Sequence, residues 1–419
     1  MALRGEISLP GDKSISHRAL MFTTLGDGLS RISNLNSGAD VQSTREVLET
    51  CGIQIETRHD HVHVQGGGLR PFKQPEHALN CGNSGTTARL LMGLLAAHPI
   101  HVRFEGDQSL MERPMDRVFR PLQQMGANVS ARNNKLMPVM LSGRDLWALD
   151  YTLPFASAQV KSAILLAGLH AKGETTVRSP AYSRDHTEQM LKAMGAAIKV
   201  EGRHVTVKPL KKPLKAIDFH VPGDFSAAAF FIAAALLVPN SELIVRNVGI
   251  NPTRTAFMTL LEEMGADITV ANKKEAHGEA VADLQIKSSN LKGIEVPIEL
   301  IPNMIDELPL LALLASQAAG ETLVRGAEEL RVKESDRIKS IVTNMEAWGA
   351  KIFEREDGFS IEGPSTLEGG AVKTFGDHRI AMTMSVAGLI AKLPAELDEP
   401  KCMDISHPGF LDELRTLSE

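Results

Sequence analysis

Polar turns marked by Pro or Gly alternate with strongly apolar stretches along this chain, and six of these turns run directly into a helix-like segment. A spacing of about 70 to 80 residues between successive turns predicts an internally repeated architecture. The six turns are Pro10–Ser14, Cys81–Thr86, Pro154–Ser157, Pro222–Ser226, Pro302–Asp306 and Phe375–His378.

A second pattern recurs between these turns. In each copy, apolar residues three apart are followed by Gly and then by alternating residues, which predicts a helix end, a left-handed Gly and the start of a strand. Its five copies are Leu48–Ile55, Leu122–Val129, Leu191–Ile198, Leu261–Ile268 and Met345–Ile352. Each repeat therefore reads as strand, turn, buried helix, strand, loop, amphipathic helix and strand pair.

The repeats predict two domains of three units each. The sixth unit ends without a strand pair, so we expect the N-terminal strand Gly5–Leu9 to complete it and to bring both termini into one domain. The boundary is predicted near the Lys- and Pro-rich stretch that begins at Lys208. The expected domains are residues 14–225, and residues 1–13 together with 226–419.

Composition narrows the functional class. The chain has 419 residues, 43% of them hydrophobic and 23% charged, with a net charge of −6, which disfavours nucleic-acid binding through a basic surface. The longest apolar run, Ala227–Val238, is too short to span a bilayer, and the N-terminus does not resemble a targeting segment. Cys51, Cys81 and Cys402 lack metal-ligand spacing. We therefore expect a cytoplasmic protein without a metal site.

Basic residues cluster at the predicted helix starts, where unpaired backbone N–H groups also favour anions. A capped surface helix or an exposed ion pair would explain many of them individually. Together they predict a site for two separate anions, best matched by small phosphorylated acids. The candidates are Lys13, Arg18, Arg113, Arg184, Lys333, Arg337 and Arg379.

Two further positions allow more than one interpretation. Asp306 precedes an apolar helix, where it could be a helix cap or a general base at a dry site. Pro114 fits a first helical position, which would leave Arg113 at the mouth of the loop with its donor fork available for a carboxylate or phosphate.

Five motifs resemble those of the 3-phosphoshikimate 1-carboxyvinyltransferase (EPSP synthase) family in order and spacing. They are Gly11–Ser14, Gly82–Thr86, Glu112–Met115, Arg331–Arg337 and Gly376–Arg379. The resemblance implies an α/β fold, an inside-out α/β barrel in which each of two domains has three βαβαββ units about a pseudo-threefold axis and the domains close on substrates. It also implies transfer of the enolpyruvyl group of phosphoenolpyruvate to the 5-hydroxyl of shikimate 3-phosphate, by addition and elimination, without metal or organic cofactor.

The resemblance also implies roles for individual residues. Asp306 would be the hydroxyl base and Glu334 the acid at carbon, with Lys13 stabilising charge. Shikimate 3-phosphate would contact Lys13, Ser14, Arg18, Ser157, Ala158, Gln159, Arg184, Asp306 and Lys333. Phosphoenolpyruvate would contact Lys13, Gly85, Arg113, Gln159, Arg337 and Arg379.

Four local patterns resemble the class II subgroup, whose members typically tolerate the inhibitor glyphosate. They are Gly11–Ser14, Ser157–Lys161, Arg184–Glu188 and Asn251–Arg254. The chain departs from the family's patterns at three places, of which Gly85 bears on glyphosate tolerance and the C-terminal one on a phosphoenolpyruvate contact. Gly85 occupies a position where Ala in other members crowds the inhibitor, Ala158 replaces a second Ser, and Asp404–Pro408 lacks a Lys found in some members.

Two other functions compete with this one. UDP-N-acetylglucosamine enolpyruvyl transferases share the fold and the donor, but they carry a Lys-Asn pair near the start and usually a Cys in the mobile loop. Here Lys13 is followed by Ser14, and the loop Ser109–Arg117 has no Cys. A non-catalytic anion-binding scaffold would explain the basic turns but not Asp306 and Glu334 among them. We further expect a monomer that binds neither nucleic acid nor membrane.

Overall fold

The chain forms two compact units in a computed structural model that describes residues 2–418. The N-terminal unit comprises Gly11–Val221 and the short segment Ala276–Glu279. The C-terminal unit comprises the residues up to Pro10, Pro222–Glu275, and those from Ala280 onwards. The domain limits expected from the sequence stay a prediction.

Both units contain helices and strands interspersed along the chain. The helices are α1 (Lys13–Thr23), α2 (Ala39–Thr50), α3 (Gly85–Leu95), α4 (Gln108–Met111), α5 (Asp116–Gln124), α6 (Ala158–Gly168), α7 (His186–Ala193), α8 (Phe225–Leu237), α9 (Ala256–Glu263), α10 (Ile301–Met304), α11 (Leu308–Gln317), α12 (Arg337–Ala347), α13 (His378–Ala387) and α14 (Phe410–Ser418). The strands are β1 (Arg4–Ser8), β2 (Gly26–Ser33), β3 (Ile55–Arg58), β4 (His61–Gly67), β5 (Leu79–Asn80), β6 (His101–Glu105), β7 (Asn128–Arg132), β8 (Leu136–Ser142), β9 (Asp150–Thr152), β10 (Thr175–Arg178), β11 (Ile198–Glu201), β12 (His204–Val207), β13 (Leu214–Lys215), β14 (Asp218–His220), β15 (Glu242–Gly249), β16 (Asp267–Ala276), β17 (Glu279–Lys287), β18 (Gly320–Val324), β19 (Lys351–Arg355), β20 (Gly358–Gly363), β21 (Gly370–Val372) and β22 (Ala395–Leu397).

Each unit is built on small mixed sheets. In the N-terminal unit the strand orders are β13-β2-β4-β3 with β14 also on β2, then β5-β6-β8-β7 and β9-β10-β12-β11. In the C-terminal unit they are β1-β15-β17-β16, β18-β20-β19 and β21-β22. Within these sheets the strand before a buried helix commonly pairs in parallel with the strand after it, as β5 does with β6 and β21 with β22.

The prediction that the N-terminal strand completes the sixth unit is wrong. Strand β1 pairs in parallel with β15, with Ile7 opposite Val245, and so completes the sheet of the fourth unit. The reason lies in β14, the strand just before α8. It pairs with β2 in the N-terminal unit and leaves the edge of β15 to be taken by β1.

Buried apolar helices form the core of each unit, as the sequence predicted. In α8 every residue except Ala227 and Leu237 is buried, and such a helix needs neighbours on all sides. In the N-terminal unit α3 packs on α6. A Cβ atom on Gly93 of α3 would lie 2.2 Å from the carbonyl oxygen of Ala163 on α6, so Gly there permits close approach of the two backbones. No helix within residues 2–418 is long and apolar enough to cross a membrane.

The five predicted helix ends are confirmed. The Gly residue of each copy has a positive φ, the left-handed conformation that ends a helix without Cβ strain. The angles are 85° at Gly52, 104° at Gly126, 91° at Gly195, 97° at Gly265 and 87° at Gly349.

The predicted helix starts are confirmed at five of the six turns, which lead into α1, α3, α6, α8 and α13. The fifth turn, Pro302–Asp306, instead passes through α10 and a 3-10 turn before α11 begins at Leu308. The prediction for Pro114 was also wrong, because α5 begins two residues later, at Asp116. Arg113 therefore lies in the link between α4 and α5.

We expect two histidines in the N-terminal unit to weaken the fold at acid pH: His98, which packs against Phe72, and His170, which packs against His98. The His98 and His170 rings lie 5.1 Å apart. Burial lowers the pKa of His98 to about 4, helped by Arg70, and that of His170 to about 3, helped by His98 and Arg70. The unfolded chain protonates these rings near pH 6.5 and the folded chain does not, so the free energy of unfolding falls as pH drops below about 6.5.

Urea unfolding between pH 7 and 4 checks this expectation. Each unit of pKa difference is worth about 1.4 kcal/mol, so wild type should lose a few kcal/mol more than His170→Gln, which cannot titrate there. Parallel pH profiles for the two proteins would contradict it.

Candidate functional site

The start of α1 is a tightly packed turn that carries Lys13. A Cβ atom on Gly11 would lie 1.9 Å from the carbonyl oxygen of Asn34, so only Gly fits there. Asp12 caps the helix, accepting a hydrogen bond of 2.8 Å from the Ile15 backbone N–H. Lys13 Nζ donates to Asp40 Oδ2 at 3.0 Å. The ammonium of Lys13 is thus held at a helix N-terminus, as the sequence predicted.

Arg18, one turn further along α1, is held by three elements. Its Nε donates to Thr187 of α7 at 2.8 Å, and its Nη2 donates to Ser162 of α6 at 3.0 Å. Its Nη1 donates to the backbone carbonyl of Ser14 at 2.9 Å. Neither Thr187 nor Ser162 was singled out from the sequence.

The charge of Arg184 acts on Arg18. Burial lowers the pKa of Arg18 to about 10, and the charge of Arg184 acts in the same direction, against Glu188, Asp12 and Glu279. The Arg18 guanidinium therefore remains charged at neutral pH. Two positive charges that act on each other make the surroundings of Arg18 attractive to an anion of high charge.

The first turn of α6 contributes a cap and an amide. Ser157 accepts from the backbone N–H of Val160 at 3.4 Å, and Ala158 is the first helical residue. Gln159 accepts from Arg89 Nη1 at 2.6 Å and donates to the Thr86 hydroxyl at 3.0 Å. Arg89, which contacts the candidate residue Gln159, was not singled out from the sequence, although a charged residue within the apolar helix α3 was a usable signal.

Arg113 does not present a free donor fork. Its Nη1 donates to the carbonyl oxygen of Asn83 at 3.0 Å. Its Nη2 donates to Asn83 Oδ1 at 2.6 Å and to Ser109 at 2.9 Å. Gly85, the first residue of α3, adjoins this group, because a Cβ atom there would lie 3.7 Å from Arg113 Nη1 and 3.2 Å from Arg89 Nη1. An anion at Arg113 would have to replace some of these contacts.

A buried ion pair joins α6 to α7. Lys161 Nζ lies 2.6 Å from Glu188 Oε1, and both side chains are buried. Lys161 ends the pattern Ser157–Lys161, and Glu188 ends the pattern Arg184–Glu188. The two patterns noted in the sequence therefore meet in the fold and fix α6 against α7.

In the C-terminal unit, one buried guanidinium binds three carboxylates. Arg337, 1% exposed, donates from Nε to Asp377 Oδ2 at 2.8 Å and from Nη1 to Asp306 Oδ1 at 3.2 Å. Its Nη2 contacts Glu334. Burial alone would lower the pKa of Arg337, but Asp377, Glu334 and Asp306 together raise it. The structure thus brings both predicted acid–base residues onto a single cation.

Asp306 is not a helix cap. It lies in the 3-10 turn Ile305–Glu307, and the residue at the N-cap position of α11 is Glu307. Instead its Oδ1 lies 3.5 Å from Lys333 Nζ and 3.2 Å from Arg337 Nη1. The prediction of Asp306 as the N-cap of α11 is therefore wrong, and its carboxylate lies beside two cations instead.

Arg379 joins this group from the start of α13, where Asp377 caps the helix by accepting from the Arg379 backbone N–H at 2.9 Å. The Nη1 atom of Arg379 lies 3.5 Å from the Asp306 backbone carbonyl and 3.5 Å from Glu307 Oε1. Glu307 was not singled out from the sequence. Within residues 2–418 no group of three or more His, Cys, Asp or Glu side chains could hold a metal ion.

Known proteins resemble this chain over nearly its full length. The family model for EPSP synthase (3-phosphoshikimate 1-carboxyvinyltransferase) matches residues 1–414. The 3-phosphoshikimate 1-carboxyvinyltransferase of Petrotoga mobilis is 49% identical over 414 residues, covering 98% of this chain and 96% of the relative. That of Bacillus cereus (strain G9842) is 46% identical over 418 residues, covering 100% and 97%.

Solved structures agree with these matches. The EPSP synthase of Acinetobacter baumannii is 40% identical, with a TM-score of 0.88 over 99% of this chain and 96% of that one. The enolpyruvyl transferase NikO from Streptomyces tendae, 17% identical, has a TM-score of 0.79 over 100% and 95%. At that identity NikO shows the likeness of fold alone.

Proposed function

The chain belongs to the EPSP synthase family, and we propose that the two groups of charged residues described above carry out that family's reaction. The enzyme transfers the carboxyvinyl group of phosphoenolpyruvate to the 5-hydroxyl of 3-phosphoshikimate and releases phosphate, a step of the shikimate pathway. UDP-N-acetylglucosamine is not favoured as acceptor, because the similar relatives are named for the shikimate reaction.

The N-terminal unit supplies most of the proposed contacts to 3-phosphoshikimate. Arg18 and Arg184 are two neighbouring cations, and the first turns of α1 and α6 offer backbone N–H groups of the kind that bind phosphate. The proposed contacts are Lys13, Ser14, Arg18, Ser157, Ala158, Gln159 and Arg184, with Asp306 and Lys333 of the C-terminal unit.

Phosphoenolpyruvate, which carries both a carboxylate and a phosphate, requires several cations. Arg113 is one of them, because the planar donor fork of an arginine suits an oxyanion. The bound anion would accept hydrogen bonds from N–H groups of Arg113 that now donate to Asn83 and Ser109. The proposed contacts are Lys13, Gly85, Arg113, Gln159, Arg337 and Arg379.

The shared contact of Asp306 and Glu334 with Arg337 carries the mechanistic proposal. Asp306 faces two cations and Glu334 one, so we assign the proton-accepting role to Asp306 and the proton-donating role to Glu334. Asp306 takes the 5-hydroxyl proton while Glu334 protonates the methylene carbon, and the oxygen bonds to the neighbouring carbon. The resulting tetrahedral intermediate then returns a methyl proton to the Glu334 carboxylate and expels phosphate, which restores the double bond. Lys13 stabilises the developing negative charge.

The enzyme is proposed to act as a cytoplasmic monomer. A reducing compartment suits its cysteines, since Cys51, Cys81 and Cys402 are all buried and unpaired by disulfides. Burial raises the pKa of the Cys51 and Cys402 thiols to about 12, so neither is poised as a nucleophile.

Replacing Asp306 by Ala tests the base assignment. We expect kcat to fall by about 10²- to 10⁴-fold, the usual contribution of a general base, while calorimetry finds 3-phosphoshikimate binding largely intact. Asp283→Asn is the matched control, because Asp283 is a buried carboxylate paired with Arg246 at 2.8 Å on β15 and β17. An Asp306→Ala enzyme with a near-normal kcat refutes the assignment.

Glyphosate, a mimic of phosphoenolpyruvate, is proposed to compete at the Arg113 and Gly85 group. The class II patterns lead us to expect an inhibition constant well above the KM for phosphoenolpyruvate. A methyl at position 85 would meet only the flexible ends of Arg89 and Arg113, at 3.2 and 3.7 Å. Gly85→Ala should therefore fold normally and raise the inhibition constant further. Similar values for glyphosate and phosphoenolpyruvate in a wild-type competition assay contradict this expectation.

A further inference from the structure

Two sequence motifs in the C-terminal unit have no part in the mechanism above. Gly223–Ser226 lacks a basic residue and starts α8, which Asp224 caps by accepting from the Ser226 backbone N–H at 2.8 Å. Asn251–Arg254 lies between β15 and α9. The structure joins them through a hydrogen bond of 2.5 Å from Arg254 Nη2 to the Ser226 hydroxyl. Arg254 and Ser226 are both buried.

The contact continues from Ser226 towards the proposed site. The Ser226 hydroxyl also contacts Glu307 Oε1, which in turn lies 3.5 Å from Arg379 Nη1. The direction of this chain is fixed by chemistry, because a guanidinium can only donate and a carboxylate can only accept. Ser226 must accept from Arg254 and donate to Glu307. One continuous path thus runs from Arg254 through Ser226 and Glu307 to Arg379.

Glu307 connects the side chain of Arg379 to the turn that carries Asp306. It is 1% exposed, and a carboxylate so buried must be paired with a cation and hydrogen-bonded. It also ends the 3-10 turn that carries Asp306, so fixing its side chain fixes that turn. The Nη1 atom of Arg379 contacts both Glu307 and the backbone carbonyl of Asp306.

We propose that Glu307 is a positioning residue for phosphoenolpyruvate: with Ser226 and Arg254 behind it, it holds the Arg379 guanidinium in the orientation that binds the anion. This inference rests on the proposed role of Arg379. An ion pair on Nη1 leaves the rest of the planar donor fork oriented for a ligand. The side chain of Glu307 acts through Arg379 and does not itself touch the substrate.

Steady-state kinetics with both substrates test the proposal. We expect Glu307→Ala to raise the KM for phosphoenolpyruvate by about tenfold or more, equivalent to about 1.4 kcal/mol of binding, with the KM for 3-phosphoshikimate within about twofold. Glu307→Gln keeps the acceptor for Ser226 but loses the charge, so its KM should lie between those of wild type and Glu307→Ala. Asp283→Asn, which also removes the charge of a buried carboxylate, should leave both KM values unchanged.

A double-mutant cycle tests the path behind Glu307. Arg254→Ala should raise the KM for phosphoenolpyruvate less than Glu307→Ala does. The double variant should be no worse than Glu307→Ala alone, because Arg254 acts through Glu307. Additive effects of the two changes would contradict the path.

Two outcomes separate this inference from the assignment on which it rests. If Arg379→Lys raises the KM for phosphoenolpyruvate while Glu307→Gln and Glu307→Ala leave it at the wild-type value, the positioning role is overturned and the role of Arg379 stands. If Arg379→Lys also leaves that KM unchanged, the site assignment itself fails. An equal rise in both substrate KM values for folded Glu307→Gln would indicate a merely structural role and overturns the inference as well.

Discussion

The buried guanidinium of Arg337 is the constraint on which the C-terminal group depends. Arginine stays protonated in proteins, and at 1% exposure its charge must be met by carboxylates rather than water. Asp306, Glu334 and Asp377 meet it from three separate places: the turn before α11, the segment before α12 and the cap of α13. Holding one cation therefore fixes the proposed base, the proposed acid and the cap of the helix that carries Arg379.

The N-terminal unit organises its helix starts differently. Asp12, Ser84 and Ser157 each accept a hydrogen bond from a backbone N–H group of the helix that they cap. The cations near these caps are held by neighbouring helices instead. Arg18 is bound by hydroxyls of α6 and α7, and the buried Lys161–Glu188 pair fixes those two helices together. Arg18 and Arg113 donate to neutral hydroxyl, amide and carbonyl groups, which leaves their charge for anionic ligands, whereas Lys13 is paired with Asp40. The C-terminal group, in which carboxylates surround the cations, suits proton transfer instead.

The sequence predicted most of the repeated fold, because its signals are local. A Gly with positive φ ends a helix whatever surrounds it, and five such ends were found at Gly52 and its counterparts. The predictions that were wrong concern contacts between residues that are far apart along the chain. Strand β1 pairs with β15 because β14 pairs elsewhere, and Asp306 turns to Lys333 and Arg337 instead of capping α11. Arg89 and Glu307 were missed because their partners, Gln159 and Ser226, are some 70 to 80 residues away along the chain.

These residues are proposed to form the site of an enzyme that transfers the carboxyvinyl group to 3-phosphoshikimate. Release of phosphate by the purified protein, supplied with phosphoenolpyruvate and one acceptor at a time, tests it most directly. We expect phosphate release with 3-phosphoshikimate, matched mole for mole by the carboxyvinyl product, and none with UDP-N-acetylglucosamine. Release with neither acceptor, or only with the nucleotide sugar, would contradict it.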